Sequence, residues 1–181
     1  MDDERVDIVD EKGAVLRQAL KTEAHKHGWL HKTVIGCLRY GEDWALVRQA
    51  ADRQDAGQWV NPVGGHVRAG ESDVEALLRE SEEEIGTRDI QYTFLGSGRF
   101  HRQVIGRDEN HLFVVYEIHT DARIELGPEA VAIRTYSRSE LWSMATQGDN
   151  DLGDAYFFVA EFFYPEILPP QYRRRFTNRA V

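Results

Sequence analysis

Apolar residues along this chain of 181 residues recur first at strand spacing and then, for one long stretch, at helix spacing. Val6–Val9 and Ala14–Leu20 read as two short strands, and Lys12-Gly13 between them supplies the backbone freedom for a turn. Glu23–Gly28 is polar and short, as a single helical turn would be. His31–Arg39 and Trp44–Gln49 read as a second strand pair around Tyr40-Gly41-Glu42-Asp43, followed by a polar loop, Ala50–Gly57. Trp59–Val63 is a short apolar segment that ends at Gly64-Gly65. The period then changes. Val74, Leu77, Leu78, Ser81 and Ile85 form a helical stripe within Ser72–Ile85, with Ser72 and Glu75 spaced as a capping box and Gly86 placed to stop the helix. Ile90–Phe100, His111–His119 and Ala130–Tyr136 return to strand character. Ser137 with Glu140 predicts the start of a helix through Ala145, and Leu152–Tyr164 predicts a last amphipathic helix. Strand pairs followed by helices predict an α/β sandwich with a mixed sheet.

Composition narrows the class. Hydrophobic content of 41% and charged content of 29% fit a folded chain, and the length suits a single domain, with a core at about 30–165 and a basic tail at about 171–181. A net charge of −9 argues against an extended nucleic-acid surface. Cys37 is the only cysteine, so no intrachain disulfide is expected. The acidic N-terminus has no apolar signal segment, and no apolar run nears the roughly 20 residues of a membrane span. A cytoplasmic protein is the expectation.

The helix carries the chemistry. Glu80, Glu83 and Glu84 stand three and four residues apart on one face, turned roughly 120° from the apolar stripe at ~100° per residue. Like charges at that spacing repel. A divalent cation would turn the repulsion into binding, since Mg²⁺ takes hard oxygen ligands. Gly64-Gly65 lets backbone approach the same space without a Cβ, and Arg79 adds a charge that can orient a carboxylate. Taken alone, three glutamates on a helix are more often a solvated face than a site.

Gly65, Glu71, Arg79, Glu80, Glu83, Glu84 and Gly86 together spell G-x5-E-x7-R-E-x-x-E-E-x-G. This spacing resembles the Nudix box, the signature of the Nudix hydrolases. Ser81 and Thr87 stand where that pattern has bulky aliphatic residues, which are packing positions. The resemblance implies a three-layer α/β/α fold, Mg²⁺ or Mn²⁺ as cofactor, and hydrolysis of a diphosphate linkage in a small molecule, in the first place a nucleoside diphosphate derivative. It implies metal ligation by Glu80, Glu83, Glu84 and the Gly65 carbonyl, and bracing of the loop by Glu71 and Arg79. Glu83 or Glu84 would also help activate water. An acid downstream of the box assists in many members, and Glu129 is the candidate here, with a solvated loop acid the equal alternative. Homodimers are frequent in the family and are an expectation for this chain.

Three flanking segments, Asp7–Gly13, Glu23–His31 and Trp59–His66, are similar to the isopentenyl-diphosphate isomerase-like branch. Those isomerases carry a catalytic cysteine just before the Gly-His pair, where this chain has Gly64. They also hold a second metal on histidines and glutamates. His31, His66 and Glu109 match that set, whereas His111 replaces a glutamate and the His25/His27 spacing is off by one. Histidines so placed are more often satisfied structural residues than ligands. Arg48 and Arg53 lie near where the isomerases hold a diphosphate, and a guanidinium suits phosphate, though either is equally a surface arginine. Trp59 and Tyr136 are candidates to stack on a base, with core packing the more frequent role. The rival readings are an isomerase and a non-catalytic ligand-sensing module.

Overall fold

The computed structural model describes residues 4–147 and 151–172, so the basic tail falls almost wholly outside the described residues. In chain order the elements are β1 (Arg5–Val9), β2 (Val15–Leu20), α1 (Lys21–His27), β3 (His31–Tyr40), β4 (Asp43–Gln49), β5 (Trp59–Val60), β6 (Val63–His66), α2 (Asp73–Ile85), β7 (Gln91–Val104), β8 (Arg107–His119), β9 (Ala130–Tyr136), α3 (Arg138–Thr146) and α4 (Asp154–Phe163).

β3 organises the sheet. It runs parallel to β8 from His31 opposite His111 to Leu38 opposite Ile118, and antiparallel to β6 from Thr33 opposite His66 to Gly36 opposite Val63. At its start it pairs with β1 through Ile8 and His31, and at its end with β4 through Arg39 and Tyr40. β7 extends the sheet beyond β8, and β5 and β9 flank β4. The mixed sheet is therefore built around a parallel pair, which is why β3 and β8 are buried on both faces and read as apolar runs.

Alternation along these strands splits the core in two. Ile35, Cys37, Phe113 and Val115 face a cluster with Leu141, Ala145, Phe157, Phe158 and Val159 of α3 and α4. Val34, Leu38, Val114 and Ile118 face Ala76, Leu77 and Ile85 of α2. Helices on both faces give the three-layer α/β/α sandwich that the resemblance implied.

Two local expectations change. β7 and β8 are longer than the apolar pattern suggests and meet in a two-residue turn, Ile105-Gly106, with both residues at positive φ (46° and 71°). Their distal halves carry Arg102, Glu109, Asn110 and His111, whose polar side chains interrupt the alternation yet are half-buried or buried. In α2, Val74 and Leu78 are only partly covered, while Ala76 and Glu80 are buried beside Leu77, Ser81 and Ile85. The acidic face of α2 is thus tucked against β6 at Glu80 rather than wholly solvated. Among the described residues, no helix is long and apolar enough to cross a membrane.

Candidate active site

The path from β6 into α2 is held by local sequence. The Ser72 hydroxyl accepts from Glu75 N–H (3.3 Å), Ser72 N–H donates to the Glu75 carboxylate (2.9 Å), and Gly86 closes the helix at φ 78°. The loop before the helix is tied to it by Arg79. This guanidinium donates twice to Glu71 (both 2.9 Å), once to the His66 carbonyl (2.9 Å) and once to Glu80. Glu71 also accepts from Arg68 N–H (2.9 Å). Burial works against the Glu71 carboxylate, yet Arg79 and that N–H together hold it below the usual carboxylate range.

A Cβ at Gly65 would run into the Glu80 carboxylate, so glycine there leaves that carboxylate its place against β6. Glu84 accepts from Gly64 N–H at 2.7 Å. Burial raises the Glu80 carboxyl despite Arg79, and raises Glu84 well above its ordinary value, with the Glu80, Glu129 and Glu83 charges adding to the burial. Glu83 is the exposed member, with guanidinium nitrogens of Arg79 at 3.6 Å and Arg68 at 3.7 Å. Glu84, shielded and with no cation among its neighbours in this set, stands beside Glu80 and Glu83, and the three carboxylates form a donor set that fits a divalent cation of the Mg²⁺ type.

These groups line one wall of a cleft of about 920 Å³. Glu129 faces it from the loop before β9 and forms an ion pair with Arg53 (2.8 Å). Of the two arginines singled out in the sequence, Arg53 lines the cleft, with its Nε buried and lacking a hydrogen-bond partner. Arg48 does not line it. Its Nε donates to the Gly57 carbonyl (3.0 Å), which braces the loop that carries Arg53. Trp59 and Tyr136 are also absent from the cleft wall and pack edge to face on one another, 5.4 Å between centroids. Lys21, Arg68 and Arg107, which no sequence pattern singles out, do line it. Arg68 is one of the unfixed positions inside the G-x5-E loop, the one signal that pointed near it.

His31 and His66 come together, joined by His25 and His111. Glu109, expected with them, instead accepts from Arg102 Nε at 2.7 Å, and Arg102 spans to Asp55 with a second pair at 2.7 Å. Glu109 is thus not one of the clustered ligand groups, and its carboxylate is engaged by the half-buried Arg102 guanidinium. Cys37 is 2% exposed within the apolar cluster under α4, and burial pushes its thiol far up, so it cannot exchange protons with a ligand in the cleft.

With this geometry in view, the likenesses to other proteins are informative. Residues 29–158 match the NUDIX domain family. An uncharacterised Nudix hydrolase of Streptomyces coelicolor is 41% identical over 94 residues, which is 49% of this chain and 50% of that protein. The chain thus spans about half the length of that relative. An isopentenyl-diphosphate Delta-isomerase of Photobacterium profundum is 26% identical over 92% of this chain and 93% of its own length. The fold superposes on a crystal structure from Deinococcus radiodurans with a TM-score of 0.69, at 23% identity, covering 86% of this chain and 97% of the other. The box residues gathered around Glu80 and Gly65, the α/β/α layers and the family match over most of the sequence lead to one statement: this chain belongs to the Nudix hydrolase family.

Proposed function

We propose that this chain hydrolyses a diphosphate linkage in a small molecule, a nucleoside diphosphate derivative first among the candidates, with Mg²⁺ or Mn²⁺ at Glu80, Glu83, Glu84 and the Gly65 carbonyl. The observation that carries the reading is the pair of solvent-shielded carboxylates, Glu80 and Glu84, facing cationic side chains across one cleft. A bound divalent cation would neutralise the anhydride and lower the pKa of an attacking water. The chain's own groups do the rest. Arg53 lines the cleft beside Glu129, and with Arg68 and Lys21 it binds and orients phosphate oxygens. Arg79 keeps Glu80 in place. Glu129, carried on a loop rather than on α2, takes the proton from water, with Glu83 and Glu84 completing the acidic set. Arg48 acts indirectly, by holding the loop of Arg53.

Isomerisation of a prenyl diphosphate is the second reading, favoured by the nearly full-length likeness to the Photobacterium isomerase. It lacks an acid–base thiol, since Gly64 occupies the expected position and Cys37 is sealed in the core. The two readings separate in one assay. The chain is incubated with Mg²⁺ and nucleoside diphosphate sugars, dinucleotides, coenzyme A, nucleoside triphosphates and prenyl diphosphates, and products are followed by phosphorus NMR. Hydrolysis predicts new phosphate monoester signals that vanish with EDTA. An allylic isomer of isopentenyl diphosphate with its diphosphate intact would overturn the proposal. Binding without turnover across the panel would instead favour a sensing module.

A further inference from the structure

Arg102 of β7 ties together parts of the chain that lie far apart in sequence. Its guanidinium donates to both Asp55 oxygens (2.7 and 3.1 Å) and to Glu109 (2.7 Å), and the Asp154 carboxylate at the start of α4 stands 3.7 Å away. Glu109 is its direct partner across the β7–β8 hairpin, so that contact is local. Asp55 lies on the loop between β4 and β5, 47 positions earlier in the chain. The pair is shielded, with the Arg102 side chain 15% and that of Asp55 17% exposed. Burial works against the guanidinium charge, yet Asp55 and Glu109 hold its pKa above the ordinary value.

The loop has no apolar anchor, since none of residues 50–57 belongs to the hydrophobic clusters of the core. The bonds from Gly57 N–H to the Gln49 carbonyl, from Arg53 N–H to the Ala50 carbonyl and from Arg48 to the Gly57 carbonyl close it on itself. Ala50 N–H, donating to the Glu129 carbonyl, fixes its first residue. Asp55 carries the tip across to the hairpin. Arg53, on the same short loop, lines the cleft and meets Glu129 at 2.8 Å. Loop and hairpin both contribute to the cleft wall, Gln54 and Asp55 from one and Arg107 and Glu109 from the other.

We propose that Arg102 is a positioning residue for substrate binding: its grip on Asp55 fastens the loop to the β7–β8 hairpin and so holds Arg53 where it meets the substrate's phosphates, a role that presupposes diphosphate hydrolysis with Arg53 as a phosphate ligand. Arg48 shapes the loop from within, and Arg102 sets where the loop stands. A two-bond fork on a carboxylate fixes direction as well as distance, which a single ammonium contact does not. The sign of one substitution separates this role from a plain effect of charge. Asp55 itself lines the cleft, so removing its carboxylate makes the wall less negative and, by charge alone, strengthens the binding of an anionic diphosphate. Releasing Arg53 weakens that binding.

Asp55→Ala is compared with the unsubstituted chain for KM and kcat on the best substrate of the panel, and for hydrogen exchange of the amides at 50–57. The expected result is a KM raised about 10–100-fold with kcat kept within about threefold, and faster exchange in the loop. Asp55→Ala added to Arg53→Gln should raise KM little beyond Arg53→Gln alone, because Asp55 acts through Arg53. Asp52→Ala, which removes the exposed acid of the same loop, should leave KM level or lower it. Arg102→Gln should repeat Asp55→Ala, and Arg102→Lys should fall between it and the unsubstituted chain. If Arg102→Gln does not fold, Asp55→Ala decides, since it keeps the Arg102 bond to Glu109. A KM that stays level or falls in Asp55→Ala, unaltered loop exchange, or KM effects of Asp55→Ala and Arg53→Gln that multiply would overturn the assignment. If the unsubstituted chain turns over no member of the panel, the hydrolysis reading fails by itself. Loop exchange then judges the grip of Arg102, upheld if Asp55→Ala speeds it and refuted if it does not.

Discussion

Glu84→Gln is expected to lower Mg²⁺-dependent hydrolysis by on the order of 10²–10⁴-fold while leaving the metal-free chain as stable as before or more so. The amide keeps the volume and still accepts from Gly64 N–H, so the loop geometry has no reason to change. What goes is a charge that the fold shields and that Glu80, Glu83 and Glu129 crowd. The same raised pKa gives the reaction a pH signature. The folded chain holds the Glu84 proton to higher pH than the unfolded chain does, so this group's stabilising contribution is complete below the unfolded pKa and is lost as pH rises through the folded one. A cation must displace that proton, so Mg²⁺ affinity should rise with pH until the raised pKa is passed and then level off. Calorimetry in two buffers of different ionisation enthalpy measures the released proton. Mg²⁺ binding without proton release at any acidic pH where the chain stays folded, or an active Glu84→Gln, would show that Glu84 does not hold the cation.

Arg79→Ala is expected to cost about 3–5 kcal/mol of stability, because it leaves carboxylates in the interior without their counter-charge. Arg79 is 13% exposed, Glu71 15% and Glu80 11%, so solvent does little to replace the lost partner. The loop from Gly65 to Ser72 would lose both the fork on Glu71 and the bond to the His66 carbonyl. Arg79→Lys restores the charge but not the fork, and should fall between the two. Thermal and urea unfolding of the three proteins measures this directly. If Arg79→Ala unfolds with the unsubstituted chain, Arg79 is not the brace of the site.

How much of this was legible beforehand varies with how local the cause is. α2 and its caps were readable because Ser72, Glu75 and Gly86 act within a few residues of themselves. Cys37 read correctly as a packed residue, since an apolar run on both sides leaves a small side chain in the core. The distal halves of β7 and β8 were not readable. Arg102, Glu109 and Asn110 break the apolar alternation, and what lets them sit in a strand is pairing between residues seven or more apart in sequence, Arg102 with Glu109 and Arg99 with Asn110. His25 looked misplaced by one residue because spacing along the chain ignores the turn of α1, which brings it under β8. Arg48 and Arg53 were indistinguishable as residue types. Only the loop between them, closed by the Arg48 bond to Gly57, sends one guanidinium to the cleft and the other away from it.

The central claim is that water attacks phosphorus at the acidic wall formed by Glu80, Glu83 and Glu84. Turnover of the best substrate of the panel in ¹⁸O-enriched water, with and without Mg²⁺, tests it most directly through the isotope shift in the phosphorus NMR spectrum. The account predicts one ¹⁸O on a phosphate of the products, formed only with the divalent cation and absent in the Glu83→Gln, Glu84→Gln double variant. Label at carbon, unlabelled phosphate products, or undiminished labelling by the double variant would contradict it.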